Sequence, residues 1–217
     1  MRIGILGAGN MAGALGAQWA RAGHEVLVGA RDRDKAAKRA AEIGPGALPG
    51  GLREAAAFGD VTLLAVAYEG VAEVLGQVGD VLRGRTVIDC VNGIVHPGVT
   101  LATGTGPSVA RRIADATGAH VVKAFNLCPD AMWRMTPPRV DGRPLTVPVC
   151  GDDSGALAAV RTLITDLGCV PADAGDLDRA GVLEATAAYV IGLHIAGVDP
   201  RSALPSPEPE VSGARPA

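Results

Sequence analysis

The first thirty residues of the chain constrain its fold more than any other stretch. Residues 2–6, RIGIL, are apolar and partly β-branched, which is typical of a short buried parallel strand. A glycine-rich turn follows, and we predict a helix over residues 11–21 that ends at Gly23. Residues 25–28 form a second apolar run at the spacing of a βαβ unit. This order of elements predicts a parallel sheet.

The turn has the G-x-G-x-x-A form of a dinucleotide-binding fingerprint. The first glycine permits a tight turn, the second lets the backbone approach a pyrophosphate, and the alanine allows close packing of helix on strand. Amides at the start of the helix would face the phosphates. An ordinary glycine-rich turn is the alternative, whereas a signal peptide is excluded because four glycines interrupt the run from Gly4 to Gly13. The predicted binding residues here are Gly7, Gly9, Asn10, Met11 and Ala12.

The end of the second strand indicates which dinucleotide binds. An NAD site usually has an acidic residue there for the ribose 2′-hydroxyl. Here Arg31 follows the strand and Asp32 comes one residue later, with Lys35 close behind. Arg and Lys suit a 2′-phosphate, so NADP(H) is predicted. A solvated charge cluster is the alternative, because Asp32 and Asp34 alternate with the basic residues.

Composition excludes several classes of function. The chain has 217 residues, 48% of them hydrophobic and only 3% aromatic, which suits a core of small aliphatic side chains. A net charge of -3 gives no electrostatic reason to expect nucleic acid. No apolar run reaches about 18 residues, so we expect no membrane span. The four cysteines form no C-x-x-C pair, which predicts reduced thiols in a cytoplasmic protein and no metal site.

Alternating strand and helix patterns continue along the chain. The fold class they predict is α/β, a Rossmann-type doubly wound parallel sheet with a small C-terminal α/β extension that ends in a long buried helix. We predict strands at 60–66, 86–89, 120–125, 145–150 and 169–172, a short strand at 47–48, helices at 32–43, 52–58, 71–82, 108–116, 153–167 and 176–197, and irregular loops at 96–107 and 130–143. The predicted domains are residues 1–144, which bind NADP, residues 145–199, a βαβα extension packed on them, and residues 200–217, a flexible tail.

The predicted helix at residues 176–197 is apolar on nearly all sides, so we expect it to be buried. A small domain offers little cover on every side of a helix. We therefore expect a homodimer, with a monomer that packs the helix across its own cleft as the alternative.

Ligands of an open parallel sheet bind beyond the carboxyl ends of its strands. This rule selects residues 67–69, 90–93 and 126–129 together with the fingerprint. We predict that these segments converge on the nicotinamide, with Ala67 and Asn92 among the cofactor-binding residues.

From Met1 to about Gly197 the chain resembles the deazaflavin-dependent NADP reductases, which exchange a hydride between NADP(H) and the deazaflavin coenzyme F420. The resemblance is carried by the blocks GILGAGNMAGALG, GHEVLVGAR, VVKAFN, VPVCGDD and ADAGDLDRAGVLE. It implies that Ala30, Arg31 and Lys35 hold the 2′-phosphate and that residues 126–129 line the nicotinamide and the deazaflavin.

Three positions depart from that family's pattern. Ala30 stands where a serine is frequent, Leu127 replaces a threonine, and Tyr68 stands where a tryptophan is common. From the strand ends and the resemblance together, Asn126, Cys128 and Tyr68 are the predicted catalytic residues.

The function predicted is hydride transfer between NADP(H) and F420, which needs ring stacking more than side-chain chemistry. One alternative is an NADPH-dependent reductase of a small organic ketone or imine, which requires a proton donor. Its candidates are Tyr68, His96, Lys123, Tyr189 and His194. A non-enzymatic NADP-binding protein is the third possibility.

Two charged residues lie in apolar segments. Lys123 is inside a predicted strand, and its stem is expected to snorkel toward solvent. Glu184 is inside the long apolar helix, where a structural ion pair with Arg179 or Arg161 is expected.

Overall fold

The computed structural model describes residues 1–95 and 97–204. His96, a predicted proton donor, and most of the predicted tail, residues 205–217, lie outside the described residues.

The backbone builds one large sheet and two small hairpins. The strands are β1 (Arg2–Leu6), β2 (Glu25–Gly29), β3 (Ala47–Gly50), β4 (Val61–Leu64), β5 (Thr86–Asp89), β6 (Ile94–Val95), β7 (Thr100–Leu101), β8 (His120–Lys123), β9 (Arg139–Val140), β10 (Arg143–Pro144), β11 (Thr146–Gly151) and β12 (Val170–Asp173). In the sheet the order is β12-β11-β8-β5-β4-β1-β2-β3, while β6 pairs with β7 and β9 with β10.

Helices connect the strands and cover both faces of the sheet. They are α1 (Asn10–Arg21), α2 (Arg33–Ile43), α3 (Leu52–Phe58), α4 (Tyr68–Leu82), α5 (Val109–Thr117), α6 (Asp130–Trp133), α7 (Ser154–Asp166), α8 (Ala180–Ile195) and α9 (Pro200–Ala203). In the described residues no helix is long and apolar enough to cross a membrane.

Six neighbouring strands, from β3 to β8 in the sheet, run parallel. Successive residues on them point to opposite faces: Leu63 belongs to the core cluster beneath α1, α2 and α7, and Leu64 to the cluster beneath α3, α4, α5 and α8. The chain adds β2 and β3 on one side of β1 and then continues with β4 on its other side, which places the carboxyl ends of β1 and β4 at a topological switch point. The predicted α/β Rossmann-type fold is confirmed.

Strand β11 departs from the parallel arrangement. It runs antiparallel to β8 and pairs with it only through its last two residues, Cys150 and Gly151. Its first four residues, 146–149, pair instead with the parallel strand β12. The C-terminal strands therefore extend the same sheet and project past the carboxyl end of β8.

Both predicted irregular loops contain regular structure. Residues 130–143 include α6 and the start of the β9–β10 hairpin, and residues 96–107 include β7 of the other hairpin. Two-residue strands produce too short a pattern to detect in a sequence. The predicted tail is also wrong for residues 200–203, which form α9 because Asp199 caps the helix and Pro200 fits its first turn.

The long C-terminal helix is shorter than predicted and is not buried on all sides. A 3-10 turn at Leu177–Arg179 precedes α8, whose buried residues include Leu183, Glu184 and Ala187. Val182 and Tyr189, on its other side, are 53% and 51% exposed. The prediction of a helix buried all round is therefore wrong for a single chain, because no other element of the described chain covers that face.

Glycine permits the close approach of elements around β1. A β-carbon on Gly4 would lie 2.8 Å from the carbonyl carbon of Ala55 and closer still to its oxygen. That backbone belongs to α3, which therefore packs directly on the strand. The glycine allows α3 to lie closer than any residue with a side chain would.

We expect Gly4→Ala to lower the free energy of unfolding by about 1–3 kcal/mol, because the clash is with backbone that cannot rotate away. Urea denaturation followed by circular dichroism measures this. Gly76→Ala is the matched control, since a β-carbon there meets no atom within 4 Å. In that helical position alanine should stabilise the protein by about 0.5–1 kcal/mol. Equal effects of the two substitutions would contradict the packing argument.

Candidate active site

A cleft of about 600 Å³ opens at the carboxyl ends of β1, β2 and β4. It contains most of the residues predicted for the dinucleotide. Those lining it are Gly7, Gly9, Ala30, Arg31, Lys35 and Ala67. The structure thus places the fingerprint turn, the end of β2 and the end of β4 around one space.

The start of α1 faces this cleft with free backbone donors. Gly9 is the N-cap and supplies no side-chain cap, so the first-turn amides of residues 10–12 have no side-chain acceptor. A β-carbon on Gly9 would meet nothing nearer than the Ala65 oxygen at 4.0 Å. Asn10 is exposed, whereas Ala12 is fully buried against the sheet. The turn therefore leaves room and donors for an anion.

Two of the basic residues after β2 line the cleft. The Arg31 guanidinium is exposed and forms an ion pair with Glu73 of α4, which lines the opposite side. Lys35 lies 3.9 Å from Asp32, which also caps α2. Arg33 instead points to Glu54 at 3.0 Å and does not line the cleft. Arg31 and Lys35 are thus the two cations available to a ligand phosphate in this part of the structure.

A second cavity, of about 410 Å³, lies beside the same helix start. Met11 of α1 lines it, as do the ends of β5 and β8 and one side of α8. The lining residues include Cys90, Asn92, Asn126, Cys128, Ala187, Val190, Ile191 and His194. Gly9 lines the first cleft and Met11 the second, so the two spaces flank the first turn of α1.

Two asparagines join the strand ends that form this cavity. Asn126 donates from Nδ2 to Oδ1 of Asn92 at 2.9 Å, and Asn92 donates from Nδ2 to the carbonyl oxygen of Asn126 at 2.8 Å. Asn126 Nδ2 also lies 3.2 Å from the carbonyl oxygen of Leu183 in α8. The preceding residue, Phe125, has a φ of 64°, an unfavourable left-handed conformation for an aromatic residue. This backbone directs Asn126 toward α8.

Tyr68 lines neither the first cleft nor the second cavity. Its ring lies in a separate groove between α4 and α5, with Val109 and Ile113. A β-carbon on Gly93 would lie 3.3 Å from that ring, so the ring packs behind the end of β5. Of the three predicted catalytic residues, the structure therefore brings together Asn126 and Cys128 and places Tyr68 elsewhere. Tyr68 is the first residue of α4, and this start of the helix turns the ring away from the cavity.

The two isolated charges form a buried ion cluster. Lys123 is fully buried, and its Nζ lies 2.9 Å from Asp89 and 2.8 Å from Glu184. The expected snorkelling of Lys123 is wrong, and so is the expected pairing of Glu184, because Arg161 and Arg179 bind Asp173 and the Ala174 carbonyl instead. Opposite charges inside two apolar segments were the sequence signal for this pairing.

The cysteine thiols are poorly ionised. Burial raises the pKa of Cys128, which is half-buried at the cavity wall. Burial, with the nearby Asp89, raises that of Cys90 to about 12. A thiol is nucleophilic as the thiolate, so neither residue has the environment of a reactive cysteine. In the described residues no group of three or more His, Cys, Asp or Glu could hold a metal ion.

The comparisons with known proteins agree with this geometry. Residues 2–93 match the family model described as NADP oxidoreductase, coenzyme F420-dependent. The F420-dependent NADP reductase of Methanocaldococcus jannaschii is 31% identical, with 90% of this chain and 93% of that one aligned. The chain belongs to the F420-dependent NADP reductase family. The Methanothermobacter marburgensis reductase is 30% identical over the same shares.

Solved structures extend the likeness to the whole fold. A chain from Arthrobacter sp. FB24 assigned to the F420-dependent NADP reductases has a TM-score of 0.80 and 26% identity, covering 90% of this chain and 95% of that one. An imine reductase from Streptomyces aurantiacus has a TM-score of 0.67 at 17% identity, which shows a shared fold alone. This chain covers 64% of that enzyme. The family model ends at residue 93, so the α8 wall of the second cavity lies beyond it.

Alkylation tests the state of Cys128. Since burial raises its pKa, a smaller fraction of the thiol is ionised at pH 7–8 than in a free cysteine. We expect iodoacetamide to label Cys128 of the folded protein more slowly than a cysteine-containing peptide, with the rate still rising above pH 9. Peptide mass mapping measures the rate at each cysteine. Rapid labelling at pH 7 that reaches a plateau would show a stabilised thiolate and contradict this environment.

Proposed function

We propose that the protein transfers a hydride between NADP(H) and the deazaflavin coenzyme F420. The observation that carries the proposal is the pair of spaces on either side of the first turn of α1. One offers backbone donors and two cations, as a phosphate-bearing dinucleotide requires. The other is mainly apolar, with Cys128, Ala187 and Val190 among its lining residues, as a flat ring requires. Membership of the family supports this assignment.

The residues of the first cleft fit NADP(H). The uncapped amides of α1 suit the pyrophosphate, and Gly9 leaves the backbone open to it. Arg31 and Lys35 suit the 2′-phosphate, and β2 itself ends at Gly29 without a carboxylate. Asp32 also lines the cleft, but its carboxylate accepts from the first amides of α2. The bound coenzyme supplies the chemistry, a hydride at its nicotinamide ring. Ala30, Ala67 and Asn92 remain proposed contacts of NADP(H).

The residues of the second cavity would position the acceptor ring. The Asn92–Asn126 pair fixes the ends of β5 and β8 relative to each other. Cys128 contributes a neutral, half-buried thiol to the wall, so its proposed role is steric. Apolar residues of α8, such as Val190 and Ile191, would exclude water from the face opposite the strand ends. Hydride transfer then depends on the distance and alignment of the two rings, as is general for such reactions.

A direct assay tests the proposal. Reduction of F420 by NADPH consumes one proton and gives reduced F420 and NADP⁺, so the visible absorbance of oxidised F420 disappears. We expect the protein to catalyse this loss with turnover and to catalyse the reverse reaction from reduced F420 and NADP⁺. Heat-denatured protein is the control.

The other outcomes identify the alternatives. Tight binding of NADPH without loss of F420 absorbance would refute the proposal and favour a reductase of a small ketone or imine, which a panel of such substrates would reveal. If no acceptor oxidises NADPH, the protein would be a non-enzymatic NADP-binding protein.

Arg31→Ala tests the assignment of the 2′-phosphate site. We expect the dissociation constant of NADPH to rise roughly 10- to 100-fold, because a charge-assisted contact contributes about 1.5–3 kcal/mol. NADH, which lacks that phosphate, should bind almost unchanged. Arg33→Ala is the matched control, since Arg33 is only two residues further on, at the start of α2, but points to Glu54. Calorimetric titration measures each affinity, and equal losses for NADPH and NADH would refute the assignment.

The exposed face of α8 supports a homodimer as a further proposal. Val182 and Tyr189, seven residues apart on one face, are each more than half exposed on a predominantly apolar helix. Sedimentation equilibrium should then give twice the chain mass of 21.9 kDa, and a mass of one chain would refute the homodimer.

A cytoplasmic location also remains proposed, because the four cysteines are free thiols. Cell fractionation tests it.

A further inference from the structure

Three charged side chains from distant parts of the chain meet in the core next to the second cavity. Asp89 ends β5, Lys123 ends β8 and Glu184 is in the second turn of α8. Lys123 Nζ binds both carboxylates, at 2.9 and 2.8 Å, and also donates to the carbonyl oxygen of Val91. We call these three residues the ion triad. All three are fully buried.

Backbone amides also donate hydrogen bonds to both carboxylates. Asp89 accepts from the amide of Val91 at 2.8 Å. Glu184 accepts from the amides of Val109 and Ala110, at 3.1 and 3.4 Å, which are the first two residues of α5. The positive end of that helix favours a carboxylate there. Burial opposes the charge of Lys123, but the two carboxylates hold its pKa above the ordinary value, so the ammonium stays charged.

Stability alone does not explain such a cluster. Burying two carboxylates and an ammonium costs much of what their attraction gains, and apolar replacements of buried ion pairs are frequently no less stable. The ion triad instead fixes the relative positions of the elements, because each of its hydrogen bonds joins one element to another. It links the ends of β5 and β8 to α8 and to the start of α5.

The position of the ion triad relates it to the cavity. Glu184 lies three residues before Ala187 and seven before Ile191, both of which line the α8 wall. The neighbouring Leu183 carbonyl binds Asn126 on the opposite wall. These two contacts are the hydrogen bonds that the described residues make between α8 and the strand ends. The distance between the two walls therefore depends on the ion triad.

We infer that Lys123 and Glu184 are positioning residues for the second substrate: through their buried ion pair they hold α8 at the separation from β5 and β8 that admits a flat ring. The inference rests on the proposed function, because it takes this cavity as the site of F420. Neither side chain lines the cavity, so both act through the elements that they join.

Glu184→Gln is the first test. The amide keeps the shape of the side chain, and its one remaining oxygen can still accept from the Val109 amide, but it removes the charge that pairs with Lys123. We expect the KM for F420 to rise about tenfold. The dissociation constant of NADPH should stay within about a factor of two, because the first cleft is not lined by α8. Equal changes in both constants would show a merely structural role and overturn the inference.

Lys123→Met tests the same link from its other end. If the two residues act through one ion pair, the double variant Lys123→Met with Glu184→Gln should raise the KM for F420 no more than the larger single effect. Additive effects would overturn the inference. Val160→Ala is the control for general destabilisation, since Val160 is a buried residue of α7 and lines neither space. It should leave the KM for F420 unchanged.

Hydrogen exchange without any ligand separates this inference from the proposed function. In Glu184→Gln, amides of residues 187–194 should exchange faster than in the unaltered protein, while those of α7 should not. Val160→Ala should show the reverse pattern. Unaltered exchange in α8 would overturn the inference. If the unaltered protein fails to turn over F420, the proposed function fails, and the exchange experiment still decides whether the ion triad positions α8.

Discussion

The close contact between Gly7 and Ala65 is the constraint on which the arrangement of the first cleft depends. A β-carbon on Gly7 would lie 2.9 Å from the carbonyl carbon of Ala65, and the φ of Gly7, 119°, is unfavourable for other residues. The Gly7 amide donates to Gly29 at 2.8 Å, and the Ala65 amide to Leu6 at 2.9 Å. The turn is thus fixed between the ends of β2 and β4. Because its position is fixed, the start of α1 faces the ligand space with its amides free.

The Arg31–Glu73 ion pair and the ion triad differ in exposure, with different consequences. Arg31 and Glu73 are exposed, so water and salt screen their ion pair, and an incoming phosphate can replace the carboxylate at small cost. The ion triad is sealed from solvent, so its members have no alternative partner in water. Arg31 can therefore exchange Glu73 for a phosphate when a ligand binds, while the ion triad keeps its geometry. The Arg31–Glu73 pair lines the first cleft, and the ion triad lies next to the second cavity.

Much of the fold could be predicted from the sequence, because most parallel strands contain a short apolar run and most crossover helices are bounded by glycine or a capping side chain. Strands β1 and β5 and helix α3 were located to the residue or nearly so. The fingerprint and Arg31 were found because their chemistry is local. What sequence reasoning missed depends on contacts between distant residues: the antiparallel pairing of β11, the orientation of Tyr68 and the partners of Lys123. A lone lysine in an apolar strand indicates a partner but does not say where along the chain it lies.

The orientation of β11 has a consequence for how such a protein can diversify. Most of this strand pairs with β12 beyond the end of β8, so the chain leaves the parallel part of the sheet there. The segment that follows residue 145 then supplies α8, one wall of the second cavity. The surface for one reactant is therefore encoded early in the chain, and much of the surface for the other is encoded late. Mutation or recombination in the late segment can alter the choice of partner molecule while leaving the early one intact. The fold thus allows two specificities to evolve on separate lengths of one gene.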